Sequence, residues 1–419
     1  MTTRLTTLPN GLRVITDAMP SVGTVSLGVW VDVGTRNEPA EINGVAHLLE
    51  HMAFKGTERR SALRIAEEIE NVGGHLNAYT SREQTAYYAK VLKDDVHLAV
   101  DILADILQHS VFDQGELERE RTVILQEIGQ AADTPDDVIF DMFQAAAYPA
   151  QAMGRPVLGD AEIIRRIPRD AIAHYMSGHY AAERMVFSAA GNLDHDRIVQ
   201  LVGEAFGHLP RHTAIEVEPA LYGGGVLREE RELEQVHLVL GMPAVSFLDA
   251  DYYNVSALST VLGGGMSSRL FQEIREKRGL VYTVYAFTAA YRDGGVFGVY
   301  AGTGEEEVSE LIPVLCDELL KVADTVSEEE TARMRAQMKA GLLMGLESTS
   351  SRAEHQATQL LIHDRAVGTA ELLAKIDAVD QAGIARAARR VLTAAPTFAA
   401  LGPIGRVEDF GDILRRLGH

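Results

Sequence analysis

Two histidines and a glutamate in the order H-x-x-E-H stand in the stretch Gly44-Val-Ala-His-Leu-Leu-Glu-His-Met-Ala-Phe-Lys-Gly56. On a helix this spacing sets His47 and His51 one turn apart with Glu50 between them, the geometry of a metal site. The single cysteine, Cys316, can neither close an internal disulfide nor supply a second thiol, so a metal here would rely on imidazole and carboxylate ligands.

The helix must also present these groups in the right direction. Val45, Leu48, Leu49, Met52 and Ala53 fall on one arc, the stripe of a core-packed helix, while His47, Glu50, His51 and Phe54 fall on the opposite one. The polar arc is therefore either a metal-binding face or an ordinary solvated one. Farther along, Asp113 is a good N-cap for a helix over 114–132, whose apolar arc is Leu117, Val123, Ile124, Ile128 and Ala131. Glu120 and Glu127 lie inside that arc. A buried, unpaired carboxylate costs several kcal/mol, so both need a metal, a cation or a hydrogen-bond network, unless they sit at the rim and reach water.

The elements that would hold these helices alternate between strand and helix patterns. Strands are expected over 11–17, from Val25 to Val33 and over 186–191, with paired strands rich in Thr and Tyr from His75 onward. Helical patterns cover 62–72, 93–109, 135–147, 160–167, 171–176 and 194–206. Pro210, Pro219 and Gly223-Gly-Gly225 then interrupt all periodicity, which marks a linker at 211–225 between an N-terminal domain, 1–210, and a C-terminal domain, 226–419. The second half begins the same alternation again, with a strand over 236–242, a helix over 251–262, a glycine turn opening a helix to Lys277, a strand over 296–300, four more helices and a strand over 397–401. Laying Asn43 on Asn254 sets Leu258, Val261 and Leu262 opposite His47, Glu50 and His51, so the second copy carries no metal ligands.

A chain of 419 residues, 46% hydrophobic and 24% charged, has the composition of a globular protein with sizeable cores. No run is long and apolar enough for a membrane span, and the N-terminus lacks the apolar core of a signal peptide, so a cytoplasmic location without membrane association is expected. The net charge of −21 argues against nucleic-acid binding and makes basic peptides plausible ligands, although acidic surfaces also serve solubility alone.

With a distant glutamate completing the set, the sequence resembles the inverzincin peptidases of the pitrilysin and mitochondrial processing peptidase family. The likeness runs through the segments 47–57, Asn77-Ala-Tyr-Thr80, Glu120 with Val-Ile-Leu-Gln-Glu127, Gly154-Arg-Pro-Val-Leu-Gly159, Ala190-Gly-Asn192 and 268–282. Its order and length match the short-chain, processing-peptidase-like branch. The resemblance implies an α+β fold of two homologous α/β-sandwich halves, each a mainly antiparallel sheet packed with helices. It implies one Zn2+ per chain, held by His47, His51 and Glu127, with Glu120 supporting a ligand and Glu50 as general base for the water that attacks the peptide bond. By the same likeness Arg275 and Tyr282 contact substrate and the developing oxyanion, and Asn77, Ala78 and Tyr79 form an edge strand along which substrate lies.

The activity so implied is zinc-dependent endopeptidase cleavage of unfolded or presequence-like peptides in an enclosed dimeric chamber. The alternative is a non-catalytic, peptide-binding subunit of a processing-peptidase-like complex. One departure bears on assembly. The processing peptidase divides the zinc site and a long glycine-rich loop between two subunits, whereas this chain holds the zinc motif, a short Gly263-Gly-Gly265 run and the Arg275/Tyr282 pair together. A homodimer is therefore expected in preference to a heterodimer with an inactive homologue.

Overall fold

The computed structural model describes residues 3–419. Two sheets organise the chain. The first contains β1 (Thr3–Thr7), β2 (Arg13–Ala18), β3 (Thr24–Val31), β4 (His75–Thr80), β5 (Thr85–Leu92) and β6 (Met185–Gly191), in the spatial order β1-β2-β6-β3-β5-β4. The second contains β7 (Gly225–Glu230), β8 (Val236–Ala244), β9 (Val281–Ala290), β10 (Gly295–Thr303) and β11 (Thr397–Gly402), in the order β7-β11-β8-β10-β9. Pairing is antiparallel throughout except between β2 and β6 and between β7 and β11.

These orders expose the duplication. Leaving β1 aside, β2-β6-β3-β5-β4 and β7-β11-β8-β10-β9 share neighbours, chain sequence and the single parallel step. The fold is thus mixed α and β, in two homologous halves with mainly antiparallel sheets. Helix Val45–Ala53 lies in sequence between β3 and β4, and helix Tyr252–Gly263 between β8 and β9. In the latter, Leu258, Val261 and Leu262 are all buried, so apolar packing stands where the first copy carries its polar arc.

Central strands are buried on both faces. Every residue of β6, β10 and β11 is buried, and such strands read as continuous apolar runs without alternation because each face needs its own cover. That need explains how the chain divides. One compact unit comprises residues 1–129, 155–218 and 343–368, the other 130–154, 219–342 and 369–419. These units differ from the contiguous division at 211–225, because each takes a helix from the opposite stretch of sequence. In the first unit, helix Thr349–His363 sets Ala353, Ala357, Leu360 and Leu361 against Ile15, Trp30, Ala86, Val186 and Ala190. In the second, helix Pro135–Ala147 sets Ile139, Phe143 and Ala147 against Val239, Val296, Ala399 and Leu401. Burying one such aliphatic side chain contributes roughly 1.5–3 kcal/mol, so several on one helix outweigh the proximity of sequence neighbours.

Among the described residues, no helix is long and apolar enough to cross a membrane.

Candidate metal centre

Helix Val45–Ala53 seats its five predicted apolar residues completely: Val45, Leu48, Leu49, Met52 and Ala53 are at 0% exposure. Its start is fixed by a buried acid that sequence reasoning missed. The Glu38 carboxylate accepts from the backbone N–H groups of Gly44 (2.9 Å) and Ala46 (2.8 Å) and from Asn43 Nδ2 (2.8 Å), satisfying donors that a helix N-terminus leaves unpaired. Burial pushes Glu38 up to about 7 against those hydrogen bonds. The chain enters through Gly44 in the left-handed region (φ 96°), pressed so closely by Gly159 (φ 84°) that a Cβ on Gly159 would lie 2.6 Å from the Gly44 Cα.

Helix Gln114–Ala132 delivers the second set of groups. Leu117 and Ile124 are fully buried and Ile128 packs at the core's edge, but Val123, placed on the apolar arc by its spacing, is 37% exposed. The stripe is narrower than the wheel implies, and it is centred on Leu117, Glu120 and Ile124. Glu120 is buried and satisfied: it accepts from His51 Nδ1 at 2.9 Å and pairs with Lys55 Nζ at 2.7 Å. Glu127, two turns on, is half-buried and faces both imidazoles.

The three groups His47, His51 and Glu127 offer ligand atoms that all lie within 4.8 Å of one another. Glu127 Oε2 stands 3.7 Å from His47 Nε2 and 3.6 Å from His51 Nε2. Ligands at about 2.0–2.1 Å in a tetrahedral shell are about 3.4 Å apart, so these separations suit one zinc-sized ion with a fourth position left over. The protonation states suit it as well. Burial, then the neighbouring His51, lowers His47 to about 4, so it is a neutral ligand at pH 7. Because a carboxylate only accepts, His51 carries its proton on Nδ1 toward Glu120 and turns the Nε2 lone pair toward Glu127. His47 has no such support among the described residues, where its buried Nδ1 finds no hydrogen-bond partner.

Glu50 lies beside this cluster. Its Oε2 accepts from Thr80 Oγ1 at 2.6 Å, and its other oxygen has no partner among the described residues. Burial holds the carboxyl above the usual carboxylate range, while the Thr80 hydroxyl and His51 pull it back.

Thr80 ends β4, which is the edge strand expected for Asn77, Ala78 and Tyr79. Their side chains divide between two faces. Ala78 is buried, Asn77 is exposed with its Oδ1 accepting from the Ala78 N–H (2.8 Å), and Tyr79 donates its hydroxyl to Glu354 (3.0 Å). An open groove of about 470 Å³ beside this edge is lined by Phe54, Lys55, Ile65, Ile69, Leu76 and Asn77.

In the second unit, Arg275 and Tyr282 meet each other: the guanidinium lies 5.5 Å from the Tyr282 ring centre and 4.8 Å from that of Phe271. Tyr282 is 74% exposed, so its hydroxyl end is open to a ligand. Segment 271–276 winds as a wider π-helix in place of the expected α-helix.

Lys55, Thr80 and Glu38 are the residues that sequence reasoning did not assign. Lys55 and Thr80 lie inside the family-like segments, and that was their only signal; Glu38 had none.

Comparison with known proteins agrees with this geometry. The family described as insulinase, peptidase family M16, matches residues 13–161, and the family described as peptidase M16 inactive domain matches residues 166–338. The chain is 39% identical to an uncharacterized zinc protease of Streptomyces coelicolor, covering 96% of this chain and 90% of that one. It is 40% identical to a probable mitochondrial-processing peptidase subunit beta of Arabidopsis thaliana (99% and 81%) and 36% identical to an uncharacterized zinc protease of Bacillus subtilis (96% and 98%). A protease from Helicobacter pylori shares the fold, with a TM-score of 0.88 at 22% identity over 96% of this chain and 99% of that one.

Proposed function

This chain belongs to peptidase family M16 and is a zinc metallopeptidase, and from that premise we propose that it is an endopeptidase cleaving unfolded or presequence-like peptides by Glu50-assisted attack of water. The observation that carries this reading is the convergence of His47 Nε2, His51 Nε2 and Glu127 Oε2 beside a carboxylate with one free oxygen.

His47, His51 and Glu127 would hold the zinc, which when bound would supply Lewis acidity to the scissile carbonyl and to water. Glu120 fixes the His51 tautomer, and Lys55 neutralises Glu120 so that its charge does not compete for the ligands. Glu50 takes the water's proton on its free oxygen while Thr80 holds the other, then returns that proton to the leaving nitrogen. Peptide lies along the open edge of β4 at Asn77, Ala78 and Tyr79, paired through main-chain groups that demand little of its sequence. The adjoining apolar groove accepts one of its side chains. Arg275 and Tyr282 donate to the carbonyl oxygen as it gains charge. The net charge of −21 favours basic peptides, and a cytoplasmic setting remains our reading of the sequence.

In the assembly we favour, two identical chains enclose the chamber and the Arg275/Tyr282 pair of one serves the zinc of the other. Mixing a His47→Ala chain with a Tyr282→Phe chain then restores part of the activity through mixed dimers; no rescue after subunit exchange counts against action in trans.

The primary test is a product map on a peptide library by mass spectrometry, with wild type and Glu50→Gln side by side. Chelator-sensitive internal cleavage by wild type, and a Glu50→Gln chain that keeps its zinc but loses at least about a hundredfold in rate, is the expected result. Equal turnover by the two removes Glu50 from the mechanism.

A further inference from the structure

The face of the first sheet under helix Thr349–His363 carries a cavity of about 190 Å³ whose lining includes Trp30, Tyr79, Tyr88, Glu354 and the hydroxyls of Ser26 and Ser350. Three aromatic side chains converge there, with the Tyr79 and Tyr88 ring centres 6.3 Å apart and the planes inclined at 56°. The Glu354 carboxylate accepts from Tyr79 Oη at 3.0 Å and has no cationic partner among the described residues. An exposed carboxylate needs none for stability, but one set at the rim of an aromatic pocket gives that pocket a defined electrostatic sign.

Two further features describe the walls of this pocket. Trp30 is 2% exposed, and its indole Nε1 is buried without a hydrogen-bond partner among the described residues. Ser26 and Ser350 satisfy each other at 3.0 Å, with Thr349 bonded to Ser26 at 2.8 Å, so the wall on that side is preformed. Burial, and after it the charges of Glu354 and Glu50, holds the Tyr88 phenol above its ordinary range.

Aromatic faces attract a cation through their quadrupoles, most strongly when it is partly desolvated, and a carboxylate at the rim adds a charge-assisted hydrogen bond. A volume of this size takes one guanidinium or ammonium head with a short alkyl stem. We propose that the cavity between β3, β5 and helix Thr349–His363 is a binding site for an alkyl cation, with Trp30, Tyr79 and Tyr88 as its walls and Glu354 as its counter-charge. The cation is either a free small molecule or a basic side chain of a peptide laid along β4, since Tyr79 belongs to that strand and turns its side chain to this face.

Trp30 is the only tryptophan in the chain, so intrinsic fluorescence reports on the cavity directly and independently of peptide hydrolysis. Titration of the Glu50→Gln protein with butylguanidinium is expected to give a saturable change. Its uncharged isostere butylurea should give none at equal concentration, and Glu354→Gln should weaken the butylguanidinium response about tenfold. Tyr88→Leu should weaken it as well, a check should the glutamine substitution alter the helix. Equal responses to the cation and the urea, or an unchanged midpoint in Glu354→Gln, overturn the proposal. A ten-residue peptide with one internal arginine, compared with its citrulline analogue, separates the sources: an arginine-dependent response assigns the site to a peptide side chain, and a response to butylguanidinium alone assigns it to a free cation.

Discussion

Glu50 is pulled in two directions, and Thr80 decides the balance. Burial raises its pKa and the 2.6 Å bond from the Thr80 hydroxyl lowers it, so Thr80→Val should raise it further. The acid limb of the pH profile of kcat/KM then moves to higher pH, with activity near pH 6 falling about tenfold and activity near pH 8 changing far less. An unshifted limb would leave Thr80 with no part in tuning the base. His47 gives a second prediction, in the zinc-stripped protein. Its folded pKa, about 4, lies below the ordinary imidazole value near 6.5, so the unfolded chain takes up the proton first. Stability from this group is therefore constant above about pH 6.5 and is lost as pH falls toward 4, by at most about 1.4 kcal/mol per pH unit. Urea unfolding of wild type and His47→Gln, each with chelator, should show stability curves that converge as the pH drops through that window. At this scale His47, Glu50 and His51 could be set on one polar arc because helix periodicity is local, whereas the wheel only narrowed the carboxylates to Glu120 and Glu127 and the family resemblance supplied their roles. Thr80 and Glu38 were not, since each meets the site only through tertiary structure.

The metal helix depends on how its first turn is held. Gly159 touches Gly44 with no room for a Cβ, and its own φ of 84° is one that side chains resist. Gly159→Ala should cost about 2–4 kcal/mol in unfolding free energy, combining left-handed strain of about 1–2 kcal/mol with displacement of the Gly44 backbone. Because that displacement moves His47, zinc affinity should fall about tenfold in competition with a chromophoric chelator. Gly73→Ala is the control: its φ is also positive at 67°, but a Cβ there meets nothing within 4 Å, so it should lose stability from strain alone and keep its affinity. Equal affinity losses in both variants would break the link between this glycine contact and the metal. Among elements, helices 114–132 and 135–147 could be read to their ends, since Asp113 and Pro135 signal helix starts. β7 escaped notice because its charged, largely exposed residues show neither alternation nor an apolar run. β9 escaped because Val281–Ala290 carries a mixed burial pattern suited to a sheet edge.

At the scale of the molecule, the linker read at 211–225 covers a segment without helix or strand up to Gly224, but the two compact units do not divide there alone. The N-terminal stretch contributes residues 130–154 to the second compact unit, and the C-terminal stretch contributes 343–368 to the first. A contiguous division could not anticipate this, because apolar periodicity shows that a helix needs a partner without showing which sheet supplies it. The exchange has a measurable consequence. Limited proteolysis within 211–218 should nick the chain without parting it, since release of either fragment would strip a helix from a sheet and expose Trp30, Val186 and Ala190 in one unit and Val239 and Ala399 in the other. The nicked protein should elute at the size of the intact one, keep the buried-type emission of Trp30 and retain zinc. Only denaturant should separate the fragments, with Trp30 emission shifting to the red as helix Thr349–His363 leaves. Elution as two separate, folded fragments in native buffer would mean that the exchanged helices contribute too little to hold the sheets' covers in place, and that the contiguous halves are the units of stability after all.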